Sequence, residues 1–226
     1  MQTIKDKTAD NIILIDKPVD WSSFDVVKKI RRIGKFTKTG HGGTLDPFAS
    51  GLLILGTGRE TRSLADISAA DKSYLATIFF GCATDTFDST GRITEKKENC
   101  RIDIEKVKSA VKEFTGIVRQ KPPMFSAKKV SGTRLYKLAR KGIEIERKSV
   151  PVKFHEINIV SFDTIEVVVY IKCSKGTYIR SFANDLGKAC GYPAHLKELK
   201  RLSIGKYKLD DALSIGEFAS YWNLLN

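Results

Sequence analysis

The sequence predicts an α+β fold whose sheet is largely antiparallel, mixed in part, and flanked by helices and loops. Two observations indicate this class. Strands and amphipathic helices alternate along the chain without repeats, and two long strand-like segments, 152–162 and 165–173, are separated by only two residues. So short a connection joins antiparallel neighbours, because parallel strands need a crossover of about a dozen residues or more. A chain of 226 residues can bury one large core, and we expect a single domain over residues 1–226.

The chain begins with a strand and a helix. Residues 11–15 are typical of a short buried strand. Ser22, with Asp25 three residues later, resembles a capping box, and apolar residues then recur at helical spacing until Gly34, where we expect the helix to stop. The outer face of this helix is basic and carries Lys28, Lys29, Arg31 and Arg32.

Later segments continue the alternation of strands and helices. Apolar residues at every second position of 74–80 predict a strand, and residues 107–114 predict a second amphipathic helix that Gly116 ends. The antiparallel pair described above follows. A third amphipathic helix is predicted over 179–190, with Gly191 beyond its end.

The net charge of the chain indicates what kind of partner it binds. Lys and Arg total 39 against 26 acidic residues, which gives a net charge of +13 and favours a polyanion such as nucleic acid. No apolar run approaches the length of a membrane-spanning helix, and the first ten residues are polar and charged. We therefore expect a cytoplasmic protein that does not act at a membrane.

No motif for a metal or a nucleotide cofactor is complete. The four cysteines form no Cys-x-x-Cys pair and the three histidines complete no ligand spacing, so we expect reduced structural thiols and no metal. A zinc deaminase is excluded because its His-x-Glu and Pro-Cys-x-x-Cys are missing. Residues 56–58 begin like a dinucleotide fingerprint, but Thr61 stands where glycine is required.

A glycine-rich stretch, residues 40–51, holds one carboxylate ahead of the apolar run 52–55. Glycines let the backbone approach a ligand closely, and Pro47 biases Asp46 toward an extended conformation. The Asp46 carboxylate is thus held in place. An ordinary Asp-Pro turn is the plainer interpretation of the same residues.

Residues 40–47 resemble the Gly-His-x-Gly-x-Leu-Asp-Pro motif of the TruB family of tRNA pseudouridine synthases. Three further segments match this family in the same order, namely residues 15–23, 72–74 and 173–180. Asp20 stands where the family usually has glycine, and the similarity continues to Leu202. Four ordered motifs over nearly the whole chain are far more specific than any one of them, and they imply the pseudouridine synthase fold.

The resemblance implies an enzyme, an isomerase that converts uridine 55 in the T-loop of tRNA into pseudouridine. The N1–C1′ bond breaks, the base turns, and C5 bonds to C1′, so no cofactor is needed. Asp46 matches the catalytic aspartate, and whether it attacks the sugar or the base, or acts first as a base at the ribose, stays open. Base flipping is expected, because the reacting atoms cannot be reached inside a folded loop.

The resemblance also assigns the surroundings of Asp46. Tyr74 matches a tyrosine that stacks on the target base and is a candidate for the proton step at C5. Arg180 matches the arginine that pairs with the catalytic aspartate, and an opposite charge favours the ionised carboxylate. Tyr178 and Leu202 match positions that line the pocket.

Two further residues match positions near the site. His41 corresponds to a histidine that helps to open the tRNA loop, and Lys17 corresponds to a lysine whose role we expect to be structural rather than catalytic. Each of the matched residues also has a plainer interpretation as ordinary packing or loop structure.

The segment 119–153 is strongly basic. It holds 11 Lys/Arg and two acids, which is 11 − 2 = +9 of the net charge of +13. A solvated surface is one interpretation, and contact with RNA phosphates and unstacked bases beside Phe125 and Tyr136 is the one we favour. The RNA-binding candidates are Lys128, Lys129, Arg140 and Lys141.

The expected partner is the T-arm stem-loop of tRNA, and no protein partner is predicted. Residues 213–225 are long enough for one closing helix, so we expect no C-terminal PUA domain of the kind that family members often carry. The alternative from another class is a noncatalytic RNA-binding or tRNA-folding protein on the same fold.

Overall fold

The computed structural model describes residues 10–126, 128–130, 132–139 and 141–224. The strands are β1 (Ile12–Lys17), β2 (Thr39–His41), β3 (Ser50–Thr57), β4 (Lys72–Phe80), β5 (Cys82–Thr84), β6 (Ile93–Lys96), β7 (Gly116–Gln120), β8 (Lys129–Val130), β9 (Thr133–Arg134), β10 (Val150–Phe162), β11 (Glu166–Cys173), β12 (Ala194–Ile204) and β13 (Tyr207–Lys208). The helices are α1 (Ser23–Gly34), α2 (Leu64–Ala69), α3 (Ile104–Phe114), α4 (Leu135–Ala139), α5 (Ile179–Cys190) and α6 (Ile215–Leu224).

These elements belong to two compact units. The first contains the described residues up to Leu75 and from Leu199 onward, and the second is Ala76–Glu198. Strands β4 and β12 each contribute residues to both units. That residues 1–226 form one domain stays a prediction.

Strand β3 lies at the centre of the first unit. Strands β1 and β2 pair with it in antiparallel fashion, whereas β12 pairs with it in parallel and places Arg201 opposite Gly51. Residues 51–57 of β3 are all buried, so the apolar run 52–55 is the buried element that the sequence predicts. The sheet is therefore mixed, as expected.

Side chains alternate across β1 and β3, as the two-residue period of a strand requires. Ile13 and Ile15 of β1 pack with helices α1 and α6, whereas Leu14 packs on the other face with α2. At the end of α1, the ring of Phe36 packs edge-on against Trp222 of α6, with ring centroids 5.0 Å apart. Helix α6 occupies most of the predicted closing segment.

Helix α1 begins as predicted and ends one residue later than predicted. Ser22 and Asp25 form the capping box. The helix includes Gly34, and it is Lys35 that adopts the left-handed conformation, with φ +52°. A Cβ atom on Gly34 would lie 2.1 Å from the ring of Phe36, so this glycine makes room for an aromatic side chain.

Strand β10 organises the second unit. It pairs in antiparallel fashion with β7 on one side and with β11 on the other, which confirms the predicted antiparallel pair. Helix α5 packs through Phe182, whose ring lies 5.3 Å from that of Phe114 in α3 and 5.2 Å from that of Phe154 in β10. The α+β prediction is confirmed.

Two glycines close the helices of the second unit differently. Gly191 follows α5 in a left-handed conformation, as predicted. The prediction that Gly116 ends α3 is wrong in detail, because Thr115 already has an extended backbone and Gly116, with φ +105°, begins β7.

Candidate active site

The loop that carries Asp46 connects β2 to β3 in the first unit. Just before Asp46, the Leu45 N–H donates to the Ser23 Oγ at 2.9 Å, and the same hydroxyl donates to the Leu45 carbonyl at 3.0 Å. The Asp46 carbonyl accepts from the Ala49 N–H at 3.1 Å. Asp46 itself is half-buried. The backbone on both sides of this carboxylate is therefore fixed.

Lys17, at the end of β1, also contacts the loop that carries Asp46. Its side chain is fully buried, and its ammonium donates to the carbonyls of Pro18 and Trp21, both at 2.7 Å, and of Pro47 at 3.2 Å. The pKa of Lys17 is lowered to about 8, first by burial and then by the charge of Arg201, while the carboxylates of Asp46, Asp20 and Asp16 oppose this shift. Lys17 thus joins the turn before α1 to the residue that follows Asp46, and its structural role near the site stays a prediction.

Asp20, in the turn between β1 and α1, is the residue that departs from the family pattern, and its backbone adopts an uncommon conformation. Asp20 has φ +64°, in the left-handed region where glycine is most at ease. Its N–H donates to the Pro47 carbonyl at 2.8 Å. Aspartate tolerates this conformation better than most residues, so the turn keeps the geometry for which glycine is usual.

Arg201, on β12, has a role that sequence reasoning missed. It is 1% exposed and is the largest fully buried side chain of the described chain. Its guanidinium donates to the carbonyls of Leu52 at 2.7 Å and of Thr44 and Gly43 at 3.2 Å each. The sequence did contain a signal, because Arg201 follows the buried Leu199 by two residues and so lies on the same face of the strand.

Three other predicted residues lie in the first unit. Tyr74 is buried in β4, and its side chain is hydrogen-bonded to Arg201. Leu202 follows Arg201 on β12 and is half-buried. His41 is half-buried at the end of β2, and its Nδ1 has no hydrogen-bond partner among the described residues. Burial, and then the charge of Arg201, lower the pKa of His41, so its ring is neutral at pH 7.

Arg180 lies in the second unit, buried at the start of α5. Its Nη1 lies 3.3 Å from the Asp88 carboxylate and donates to the Thr86 carbonyl at 3.1 Å, while Nη2 donates to the Phe125 carbonyl at 2.8 Å. Asp88 is 4% exposed, so this ion pair is buried on both sides. The sequence did not identify Asp88. The local signal for it is weak, namely single threonines at positions 84, 86 and 90.

Tyr178 is held by its backbone. The buried side chain of Gln120 accepts from the Tyr178 N–H at 2.7 Å and donates to the Tyr178 carbonyl at 2.9 Å. The amide of Gln120 therefore fixes the residue that precedes α5, and with it the start of the helix that carries Arg180.

The predicted RNA-binding residues are described in part. Lys128 is half-buried and Lys141 is exposed, while only the backbone of Lys129 is described. Arg140 lies outside the described residues. Lys128 lines a cavity of about 270 Å³ together with Arg147 and Lys148.

The remaining sequence predictions concern cysteines, metals and membranes. All four cysteines are free thiols. Among the described residues, no cluster of three or more histidine, cysteine, aspartate or glutamate side chains could hold a metal ion. None of the described helices is both long enough and apolar enough to cross a bilayer.

The chain is similar to known pseudouridine synthases in sequence. Residues 31–179 match the model of the TruB family pseudouridylate synthase N-terminal domain. A tRNA pseudouridine synthase B of Ureaplasma urealyticum is 43% identical over 96% of this chain and 95% of its own length. Another, from Geobacter sulfurreducens, is 42% identical over 91% of this chain and 68% of its own length.

Solved structures show the same fold. A Cbf5-Nop10-Gar1 complex superposes with a TM-score of 0.76 at 27% identity over 96% of this chain, and the archaeal box H/ACA sRNP Nop10-Cbf5 complex superposes with a TM-score of 0.71 at 27% identity over 94%. This chain spans about half the length of those chains, 56% and 54% respectively. The predicted pseudouridine synthase fold is confirmed.

A pseudouridine synthase fold with these sequence matches identifies the chain as an isomerase, and pseudouridine synthases rearrange the bonds within one nucleotide. The chain belongs to the TruB family of pseudouridylate synthases.

Proposed function

We propose that this chain isomerises uridine to pseudouridine in tRNA, at uridine 55 of the T-loop, with Asp46 as the catalytic residue. The observation that carries the proposal is the setting of Asp46, a half-buried carboxylate on a loop anchored by two buried cations, Lys17 and Arg201. The names of the relatives, tRNA pseudouridine synthase B, support tRNA as the substrate.

The reaction moves no electrons into or out of the nucleotide. The N1–C1′ bond breaks, the C5–C1′ bond forms, the proton leaves C5 and N1 gains one, so atoms and electrons balance without a co-reactant. Asp46 supplies the anion, either as a nucleophile or as a base at the ribose. Both routes need an ionised carboxylate, and two positively charged side chains, Lys17 and Arg201, hold the loop that carries Asp46.

Tyr74 is the proposed partner for the base. It is held in β4, and its hydroxyl is hydrogen-bonded to the guanidinium of Arg201, so the ring has a fixed position for stacking. A hydroxyl bonded to a cation is also suited to take part in the proton step at C5. Leu202 and Tyr178 belong to the same proposal as apolar lining.

The proposal includes base flipping. His41 enters the proposal as the residue matched to the family histidine that helps to open the tRNA loop, and its half-buried ring is neutral at pH 7. Arg180 is part of the proposal as the residue matched to the family arginine that pairs with the catalytic aspartate, and Asp88 holds its guanidinium. The basic segment 119–153 is proposed to contact tRNA phosphates.

The second candidate is a noncatalytic RNA-binding protein, and the substitution Asp46→Asn separates the two. The amide is nearly isosteric but is not nucleophilic, so the variant should bind a T-arm stem-loop with unchanged affinity and form no pseudouridine after long incubation. Asp66→Asn, an exposed change on α2, is the matched control and should retain full activity.

Pseudouridine mapping at single-nucleotide resolution checks both variants against the unsubstituted protein. Product from Asp46→Asn would remove Asp46 from the catalytic role. If the unsubstituted protein makes no product at position 55 while binding the RNA, the noncatalytic candidate stands.

A further inference from the structure

Arg201 is an unusual residue for the interior of a strand. A buried guanidinium costs several kcal/mol in lost hydration unless its donors and its charge are satisfied. Its five N–H groups make a rigid planar fork, and here three of them are directed at backbone carbonyls of two separate segments. These three bonds all end on main-chain oxygens, so they fix the positions of the backbone segments that they join.

The segments that Arg201 joins are those that carry the proposed chemistry. Thr44 and Gly43 immediately precede Leu45 and Asp46 on the loop, and Leu52 belongs to β3, the strand into which the loop leads. The guanidinium therefore ties the first half of the loop to the strand that follows it.

The fork also reaches the tyrosine. The Tyr74 side chain is hydrogen-bonded to Arg201, and both Tyr74 and Asp46 favour the charged guanidinium against the effect of burial. One cation is thus shared between the two side chains proposed to act on the nucleotide.

Two local features hold the backbone of Arg201 close to the neighbouring strands. Gly51 lies opposite Arg201 in the parallel pairing of β3 with β12, and a Cβ atom there would lie 2.4 Å from the Arg201 carbonyl oxygen. The hydroxyls of Ser73 and Ser203, which flank Tyr74 and Leu202, are hydrogen-bonded at 2.6 Å and fix β4 beside β12 at the same level.

We infer that Arg201 is a positioning residue, which holds the Asp46 loop and Tyr74 in one fixed arrangement. It acts through these two groups rather than on the nucleotide, and the inference rests on the proposed function. A displacement of about 1 Å at a reacting group can cost about 100-fold in rate, so this role predicts an effect on the chemical step.

Arg201→Lys tests the role because it keeps the charge and removes the fork. We expect the single-turnover rate at saturating T-arm RNA to fall about 100-fold while the dissociation constant for that RNA changes less than about threefold. Lys200→Met, which removes an exposed cation from the adjacent position of the same strand, is the matched control and should keep its rate.

A second measurement does not depend on activity. Hydrogen exchange of the peptide 40–50 should be faster in Arg201→Lys than in the unsubstituted protein, and unchanged in Lys200→Met. If the unsubstituted protein makes pseudouridine and Arg201→Lys matches its rate and its exchange, the inference about Arg201 fails while the proposed function stands. If the unsubstituted protein makes none, the proposed function fails, and the exchange data still decide whether Arg201 holds the loop.

Tyr74→Phe serves as the second variant if Arg201→Lys is too unstable to purify. It leaves Arg201 in place and removes only its phenolic acceptor. In protein labelled with ¹⁵N-arginine, the guanidinium resonance of Arg201 should be resolved, because a buried and bonded guanidinium rotates slowly, and it should shift in Tyr74→Phe. A resonance that does not shift would overturn the inference.

Discussion

At the scale of single residues, the candidate site uses buried cations in two different ways. Arg180 is balanced by a carboxylate, Asp88, whereas the ammonium of Lys17 donates to backbone carbonyls. The charge of Arg180 is therefore neutralised by a specific carboxylate. The contacts of Lys17 depend on its N–H donors, whose number falls when the ammonium loses its proton. The two residues should therefore respond differently to substitution and to pH.

Arg180→Lys should lower the single-turnover rate about 100-fold despite its conservative character. A lysine ammonium cannot reach the Asp88 carboxylate and the carbonyls of Thr86 and Phe125 with the geometry of the guanidinium fork. Single-turnover kinetics at saturating RNA measure the effect. Arg32→Lys, an exposed change of the same chemical kind on α1, is the control. A rate within about twofold of that control would remove Arg180 from the proposed site.

Lys17 predicts a dependence of stability on pH. The folded protein loses the Lys17 proton near pH 8, whereas the unfolded chain keeps it to about pH 10.5. Between these values the unfolded state binds more protons, so the free energy of unfolding contributed by Lys17 rises with pH. The slope is at most about 1.4 kcal/mol per pH unit.

Chemical denaturation of the unsubstituted protein and of Lys17→Met, at several pH values from 7 to 10, measures this difference. The unsubstituted protein should gain stability relative to Lys17→Met as the pH rises above about 8. The comparison with Lys29→Met, an exposed site on α1, should be flat over the same range. A flat difference for Lys17 as well would mean that its proton is held equally in both states.

At the scale of elements, the sequence predicted what local patterns determine. The capping box at Ser22, the helical spacing of α5 and the short link between β10 and β11 are local, and the structure confirms them. The residue that ends α1 could not be predicted, because Gly34 is required by the ring of Phe36 rather than by the backbone.

The role of Arg201 was missed for a similar reason. The alternation of the strand after Leu199 indicates that Arg201 is buried. Its acceptors, at Leu52, Thr44 and Gly43, lie about 150 residues away in sequence, so no local pattern identifies them. The resemblance to the family identified Asp46 because its loop is a compact motif. It gave no role to a single arginine within a strand.

A glycine pair tests the parallel contact between β3 and β12. Gly51→Ala combines left-handed strain at φ +101° with a clash against the backbone of Arg201, whereas Gly116→Ala has the same strain at φ +105° and no atom within 4 Å. We expect Gly116→Ala to cost about 1–2 kcal/mol of unfolding free energy and Gly51→Ala about 1–3 kcal/mol more. Denaturant titrations of both variants measure the difference. Equal losses would mean that β12 can move away from β3 at little cost.

At the scale of the whole molecule, positive charge is the dominant property, and it is concentrated rather than spread. The segment 119–153 holds +9 of the +13. A second concentration of positive charge lies on the exposed face of α1 and just after its end, with Lys28, Lys29, Arg32 and Lys35. A polyanion would bind one of these two basic surfaces in preference to the other only if its shape matches that surface.

Neutralising Lys128, Lys129, Arg140 and Lys141 together should weaken tRNA binding and flatten its salt dependence. For every phosphate that the variant no longer binds, the slope of log affinity against log salt should fall by about 0.7–0.9. The single-turnover rate at saturating RNA should change little, because none of the four matches a catalytic position. Binding titrations over a salt series, beside single-turnover assays, measure both quantities.

The control removes the same number of charges from α1 and the residue that follows it, by replacing Lys28, Lys29, Arg32 and Lys35. An equal change in slope from this set would mean that overall charge governs binding. An unchanged slope from the first set would make the segment 119–153 a solvated surface, and a collapsed rate with intact binding would give it a role in placing the nucleotide.

The bonds from Arg201 to the Asp46 loop end on main-chain oxygens, and this has a consequence for how freely the loop can vary. A carbonyl is present whatever side chain the residue bears, so the anchor is indifferent to the identity of Thr44, whose side chain is exposed. In a library that samples every amino acid at each position, we expect Thr44 to accept most replacements and Arg201 almost none. Two residues joined by one hydrogen bond would thus differ widely in the number of substitutions that they tolerate.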